Sequence, residues 1–394
     1  MAVRVSKPEV NLRDKLNKAE PPIGAHGSQL LKSKSTSESF DLVRAGRRNL
    51  IINGDMRIWQ RSNGNAVTGA TGLKFGPDRW MFEEGCANLV TVLTQSTDTP
   101  LDQGFKYSFQ VSPSQVESAL DSSDFAQYMY FVEGYDFAPA QWGTINAKPC
   151  TFSFWFKTNM GGEHYVTFTS FSGADTWSTS IRSTMNVWEH HVITVPPPMT
   201  GTWNYEIGRG VEIRIGLIRS GSVVEAKSGR WFHGGSNYNG FADAHSDWAF
   251  NTAHSAYLTG VQLEIGSQAT PFEHRSYNEE ISLCYRYFRR FDSTGGGDVY
   301  TGYGSGVVGN TNLMLWTRAF DVPMRNEPTI SGANIRIYDG QNNSAITALN
   351  TNRSSKSAFW IEPTTGGTNL VRGRGCLIGN NNSSSGYVEF NAEI

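Results

Sequence analysis

The run from Arg230 to Phe250, RWFHGGSNYNGFADAHSDWAF, concentrates residues that do chemistry. Asp243, His245 and Asp247 alternate within it. That spacing suits a bound cation or an acid–base pair, and it equally suits a loop held by local hydrogen bonds, which is the reading adopted. Trp231, Tyr238 and Trp248 stand among Gly, Asn and Asp in the same run. An indole or phenol face covers the apolar side of a sugar ring while neighbouring amides and carboxylates bond its hydroxyls, so these three are the candidate glycan contacts. The competing reading uses the same rings to plug one end of a β-sandwich, because large aromatics are mostly buried.

Other patterns carry less. His190 and His191 are adjacent, so on a strand they face opposite sides and are poorly placed to share a ligand. Glu83 and Glu84, or Asp243 and Asp247, would serve glycoside hydrolysis only if the fold held them roughly 5–10 Å apart across a cleft. Gly304-x-Gly306-x-x-Gly309 matches the dinucleotide fingerprint by letter, but it lies in a run of small residues without a βαβ context, as a chance match does. The sequence holds no Walker loop, no G-x-S-x-G elbow and no H-E-x-x-H pair. No catalytic residue, cofactor site or metal site is assigned, and the chain is expected not to be an enzyme.

The elements that position these residues read as β. Gly (41), Phe (22), Tyr (15) and Trp (11) are abundant, which suits pleated, half-buried strands joined by tight turns. Residues 1–47 form a polar leader with short helices expected at 10–18 and 35–46. Residues 48–275 are expected as a jelly-roll-like antiparallel β-sandwich, with strands at Asn49–Trp59, Trp80–Phe82, Leu89–Leu93, Phe105–Val111, Thr151–Thr158, His164–Phe171, His190–Val195, Val211–Ile218 and Ser255–Ile265. Period-2 alternation is clearest where Phe152, Phe154 and Phe156 share one face and Ser153, Trp155 and Lys157 the other. Ser276-x-x-Glu279 is a capping box, and Ile281, Cys284, Tyr285 and Phe288 follow at helical spacing, so a connecting helix is expected over 276–291. Residues 292–394 are expected as a second, smaller C-terminal β-sandwich, with strands around Phe320–Met324, Ile335–Ile337 and Tyr387–Ile394.

Bulk properties exclude several classes. A net charge of −2 over 394 residues argues against wrapping a nucleic acid. No apolar stretch approaches the roughly 20 residues of a membrane span, and residues 1–20 lack the apolar core of a secretory signal. The four cysteines, Cys86, Cys150, Cys284 and Cys376, are widely spaced and are expected as buried thiols.

Three segments resemble a known family. Asn49–Asp55 (NLIINGD) followed by MRIWQR, then Asp78-Arg79-Trp80, then Gly260–Glu280 (GVQLEIGSQATPFEHRSYNEE) with Leu283, Cys284 and Tyr287, are similar to virion-associated proteins of tailed bacteriophages. The resemblance implies a jelly roll like that of carbohydrate-binding modules, some of which hold a structural calcium near their first and last strands. Carried over, Asp55 and Glu264 would be its ligands, but Met56-Arg57 stands where an aromatic and an acid are usual, so no metal is assigned. It also implies a tail-fibre-like structural protein of the virion, homotrimeric, docked on other virion proteins through residues 1–47 and reaching toward host surface glycans. The alternatives kept are a surface-polysaccharide depolymerase and a head fibre or adaptor protein. Synthesis in the host cytoplasm is expected, with no membrane insertion and no nucleic acid partner.

Overall fold

The structure is a computed structural model that describes residues 48–61, 66–70, 72–219, 229–233, 246–293, 299–350 and 353–394. The two expected leader helices and residues Tyr238, Asp243 and His245 lie outside the described residues. Met1–Arg48 and Asn49–Ile394 separate as two units, and every element described below belongs to the second.

In chain order the strands of the larger half are β1 (Val67–Ala70), β2 (Gly72–Phe75), β3 (Trp80–Glu84), β4 (Val90–Ser96), β5 (Ser108–Gln115), β6 (Phe125–Glu133), β7 (Cys150–Thr158), β8 (Gly162–Ser170), β9 (Asp175–Ser183), β10 (Glu189–Val195), β11 (Arg209–Arg219), β12 (Trp231–His233) and β13 (Ala256–Ile265). They form two antiparallel sheets, β1-β4-β5-β13-β7-β10 and β12-β9-β8-β11-β6-β3-β2. Phe152, Phe154 and Phe156 from one sheet and Val211, Ile213 and Ile215 from the other fill the space between them. This is the jelly-roll-like sandwich that the alternation implied. All four cysteines are buried and free of disulfides.

Asn49–Trp59, expected as the opening strand, is irregular. Asn53 and Met56 take positive φ values of 58° and 59°, which a strand does not accommodate. The Asn53 side chain closes the turn by accepting from the Ile58 amide at 2.9 Å and donating to its carbonyl at 2.8 Å. The segment is then clamped by the closing motif. Arg275 donates to the carbonyls of Asn49 and Ile51, and its guanidinium lies 3.3 Å from Glu280 and 3.5 Å from Glu273. The opening segment and the closing segment are therefore the two halves of one buried lock.

Beyond β13 comes helix α1 (Tyr277–Tyr285), capped by Ser276, whose hydroxyl accepts from the Glu279 amide at 3.2 Å. The helix was expected to reach Arg290. It stops at Tyr285 because the next residues alternate as a strand, β14 (Phe288–Asp292), and pair edge to edge with the chain's last strand. There follow β15 (Gly302–Asn310), β16 (Leu313–Ala319), β17 (Thr329–Ala333), β18 (Ile335–Tyr338), β19 (Asn343–Asn350), β20 (Ala358–Thr365), β21 (Gly375–Asn380) and β22 (Tyr387–Asn391). Six of them close into a barrel, β15-β16-β20-β19-β18-β21, beside a three-stranded sheet β14-β22-β17. Trp316, Phe359 and Phe390 share the core between the two, so the smaller half pairs a closed sheet with an open one where two open sheets were expected. The chain passes from the small sheet into the barrel at Asn334, whose φ of 52° turns the corner. Phe320–Met324 is not a strand: β16 ends at Ala319, and Pro323 removes a ladder donor. The G-x-G-x-x-G match lies inside β15 and so forms no strand-to-helix turn.

The two halves join through buried charge. Arg79, 1% exposed, donates to the Phe131 carbonyl at 2.6 Å, pairs with Glu393 and lies 3.6 Å over the Tyr287 ring. Beside it, fully buried Asp78 accepts from Gln60, and burial pushes its carboxyl up to about 6. An acid whose folded pKa is raised stabilises the fold below its unfolded value near 4 and loses that contribution as pH rises through about 6. The shift corresponds to about 3 kcal/mol. The urea midpoint should therefore carry a downward slope between these pH values that Asp78→Asn flattens; an unchanged slope in the variant would assign it to other groups.

Candidate functional site

The outer face of the six-stranded sheet carries a pocket that begins with the alternation of β7. With the three phenylalanines turned inward, Ser153, Trp155 and Lys157 face out. On one side β10 sets His190 opposite Trp155, and the two rings stack with centroids 5.0 Å apart and planes 30° from parallel. On the other side β13 bulges: its register against β7 shifts between Thr259 and Gln262. Gly260 sits at this bulge with φ +62°, and a Cβ there would lie 2.6 Å from the Phe105 ring and 2.9 Å from that of Trp155. Glycine thus serves twice, for the turn and for the space above it.

The far wall is the stretch after β13, folded back on it. Gln262 and Glu264 hold that stretch in place. The Thr270 amide donates to Glu264 at 2.9 Å, its hydroxyl to the same carboxylate at 2.6 Å, and the Glu273 amide to Gln262 at 2.9 Å. Phe272 and His274 are thereby brought against Phe105, with ring centroids 5.0 and 5.4 Å away. The result is a cavity of about 250 Å³ lined by these rings, Trp155, His190 and Gly260, with Asp102, Gln103, Ser153 and Thr270 as polar rim. Among the described residues the imidazoles of His190 and His274 and the Asp102 carboxylate make no hydrogen bond, and burial holds the His190 imidazole below its usual range. Along β7 the aromatic surface continues: Lys157 pairs with Asp98, lies 4.9 Å over the Tyr257 ring, and Trp188 donates to Asp98 at 2.9 Å.

The residues singled out from the sequence are placed elsewhere. Trp248 is 1% exposed and packs toward Phe82 in the sandwich core, so it presents no face to a ligand; burying so large a ring is the stronger drive. Trp231 is half-buried at the edge of the second sheet, its indole donating to the Pro196 carbonyl at 2.7 Å and its ring set against Trp142 and Trp203. Tyr238 is outside the described residues. Asp55 is paired with Arg57 and Glu264 is engaged with Thr270, so the guanidinium supplies the charge that a cation would have brought to Asp55. Among the described residues no group of three or more His, Cys, Asp or Glu is placed to hold a metal. Glu83 and Glu84 face opposite sides of β3, toward Gln127 and Lys74 respectively. His191 packs on Phe154, on the face opposite His190. Asp175 and His233 form a 2.5 Å contact, but Thr200 lies 3.5 Å from the other ring nitrogen, too long for an activated hydroxyl. No described helix is long and apolar enough to cross a membrane.

No family model and no curated protein matches the sequence. Among solved structures, the chain is similar to the enzymatically active domain of bacteriophage CBA120 tailspike protein 4, at TM-score 0.28 and 14% identity, over 53% of this chain and 22% of that one. It is also similar to the family 11 carbohydrate-binding module of a Clostridium thermocellum cellulosomal cellulase, at TM-score 0.26 and 14% identity, over 53% and 100% of the two chains. A third likeness is to TmCBM61 in complex with β-1,4-galactotriose, at TM-score 0.25 and 13% identity, over 56% and 99%. At these values the likenesses say nothing about what the pocket binds.

Proposed function

We propose that the chain is a non-catalytic, glycan-binding structural component of a tailed-phage particle, with the bulge pocket as its adhesive site. One observation carries the binding half. Trp155, Phe105 and Phe272 surround a ring-sized space whose rim offers unpaired imidazoles, an amide, hydroxyls and a carboxylate, which is the mixture of apolar face and hydrogen-bonding edge that a sugar requires. What supports the virion half is the similarity of residues 49–61, 78–80 and 260–287 to phage virion proteins; in this reading the chain is a tail fibre-like homotrimer with residues 1–47 attached to its neighbours in the particle.

Trp155→Ala is expected to lower affinity for any glycan found on an array by about tenfold or more, since a buried aromatic face is worth roughly 1.5–3 kcal/mol. Gly260→Ala, which fills the floor, should do the same while Trp231→Ala does not. Undiminished binding by Trp155→Ala would remove the pocket as the adhesive site. A chain lacking residues 1–47 is expected to fold and remain soluble but to be missing from purified particles; its normal incorporation would defeat the docking role.

A further inference from the structure

We infer that the pocket selects an acidic sugar, a ring bearing a carboxylate, and that protonation of His190 and His274 controls its capture. This rests on the pocket being a sugar site and names the class of sugar. The two histidines stand on opposite walls of one cavity of about 250 Å³. Each is backed by an aromatic ring at a shallow angle, His190 by Trp155 at 30° and His274 by Phe105 at 36°. The aromatic ring behind each imidazole fixes its plane and leaves its edge, with the ring nitrogens, for a ligand. Neither imidazole has a hydrogen-bond partner among the described residues, so these donors are committed to nothing inside the protein.

The surrounding charges are otherwise settled. Toward His190, β7 presents Lys157, neutralised by Asp98, and on the strand of His190 itself Glu189 is taken up by the amide and hydroxyl of Thr184. Beside His274, Lys106 lies over the Tyr107 ring, Glu273 accepts from the Asn49 amide, and Arg275 is turned to Glu280. Asp102 is the acid on the cavity wall. With both imidazoles protonated the lining holds one net positive charge, and with both neutral it holds one net negative charge. A carboxylate-bearing ring is drawn in by the first state and repelled by the second, whereas a neutral hexose is indifferent to the change. A single ring is also what a cavity of this size accommodates, below the roughly 300–1,000 Å³ of larger ligand sites.

The test uses the full-length chain and saturation-transfer NMR titrations with glucuronic and galacturonic acid beside glucose and galactose, at about pH 5 and about pH 8. The expected result is acid-sugar binding about tenfold tighter at the lower pH, with the neutral sugars unchanged between the two. His190→Gln and His274→Gln should each shrink the ratio of acid-sugar affinity between the two pH values, whatever they cost in affinity for the neutral sugars, and Trp155→Ala should weaken both kinds of binding at both pH values. Neutral sugars bound as well as acidic ones at the lower pH would overturn this inference and leave the sugar pocket standing. Absence of binding by every sugar at both pH values would overturn the pocket and the inference together.

Discussion

Arg275→Ala is expected to cost about 3–5 kcal/mol of folding stability, the range for breaking a buried ion pair by removing one partner. The Arg275 side chain is 2% exposed and holds two backbone carbonyls of the irregular opening segment along with Glu280 and Glu273. Glu280 is itself buried, and burial raises its pKa. Without the guanidinium, Glu280 loses its cationic partner, keeping only the Asn53 amide, and both carbonyls lose the donor it gave them. Against a typical total of 5–15 kcal/mol, such a loss would unfold much of the chain at moderate urea. The double variant Arg275→Met with Glu280→Gln should recover part of it, because the more deeply buried of the two carboxylates is then neutral. Tryptophan fluorescence against urea reads both. A single variant as stable as wild type would show that the opening segment is held by its apolar contacts alone.

Glu393→Ala is expected to have an effect of similar size, about 3 kcal/mol or more, felt across the junction of the two halves. Glu393 neutralises Arg79 and lies 3.4 Å from Arg61. Its backbone carbonyl and that of Ala392 accept from Arg325 at 2.8 and 2.9 Å, so the end of the chain is fixed on both sides of the charge. Ile394 beyond it packs with Met81, Met129 and Phe131 on the outside of the seven-stranded sheet. Removing the carboxylate strands a cation that is 1% exposed. Limited proteolysis should then release the residues after α1 from a sandwich that stays intact. Cleavage no faster than in wild type would mean that the apolar contacts of Ile394 suffice to hold the halves together.

Much of the fold was legible from local pattern, and the failures are physical. β7 and β11 each have one face in the core and one toward polar surroundings, so they alternate visibly. β6 (FAQYMYFVE) is covered on both faces, Tyr128 and Tyr130 by the core and Met129 and Phe131 by the chain's end. No alternation survives there, and the strand was not foreseen. The connecting helix began at its capping box as expected, but its helical spacing ran on by coincidence into the aromatics of β14. The site was half legible. Trp155 was visible as a large aromatic on the polar face of an alternating strand, the one signal that could have marked the pocket. Its floor was not, because a bulge at Gly260 exists only in the pairing of β13 with β7. Trp248 misled because a Gly- and Asn-rich stretch around a tryptophan looks the same in sequence whether the ring faces out or plugs the core.

The barrel that β21 closes against β15 has a consequence for behaviour at high concentration. A sheet that bonds its last strand to its first leaves no row of idle amides for a stranger's strand to join. Copies packed side by side at high local density can touch there only through side chains, and those contacts can be broken again without unravelling anything.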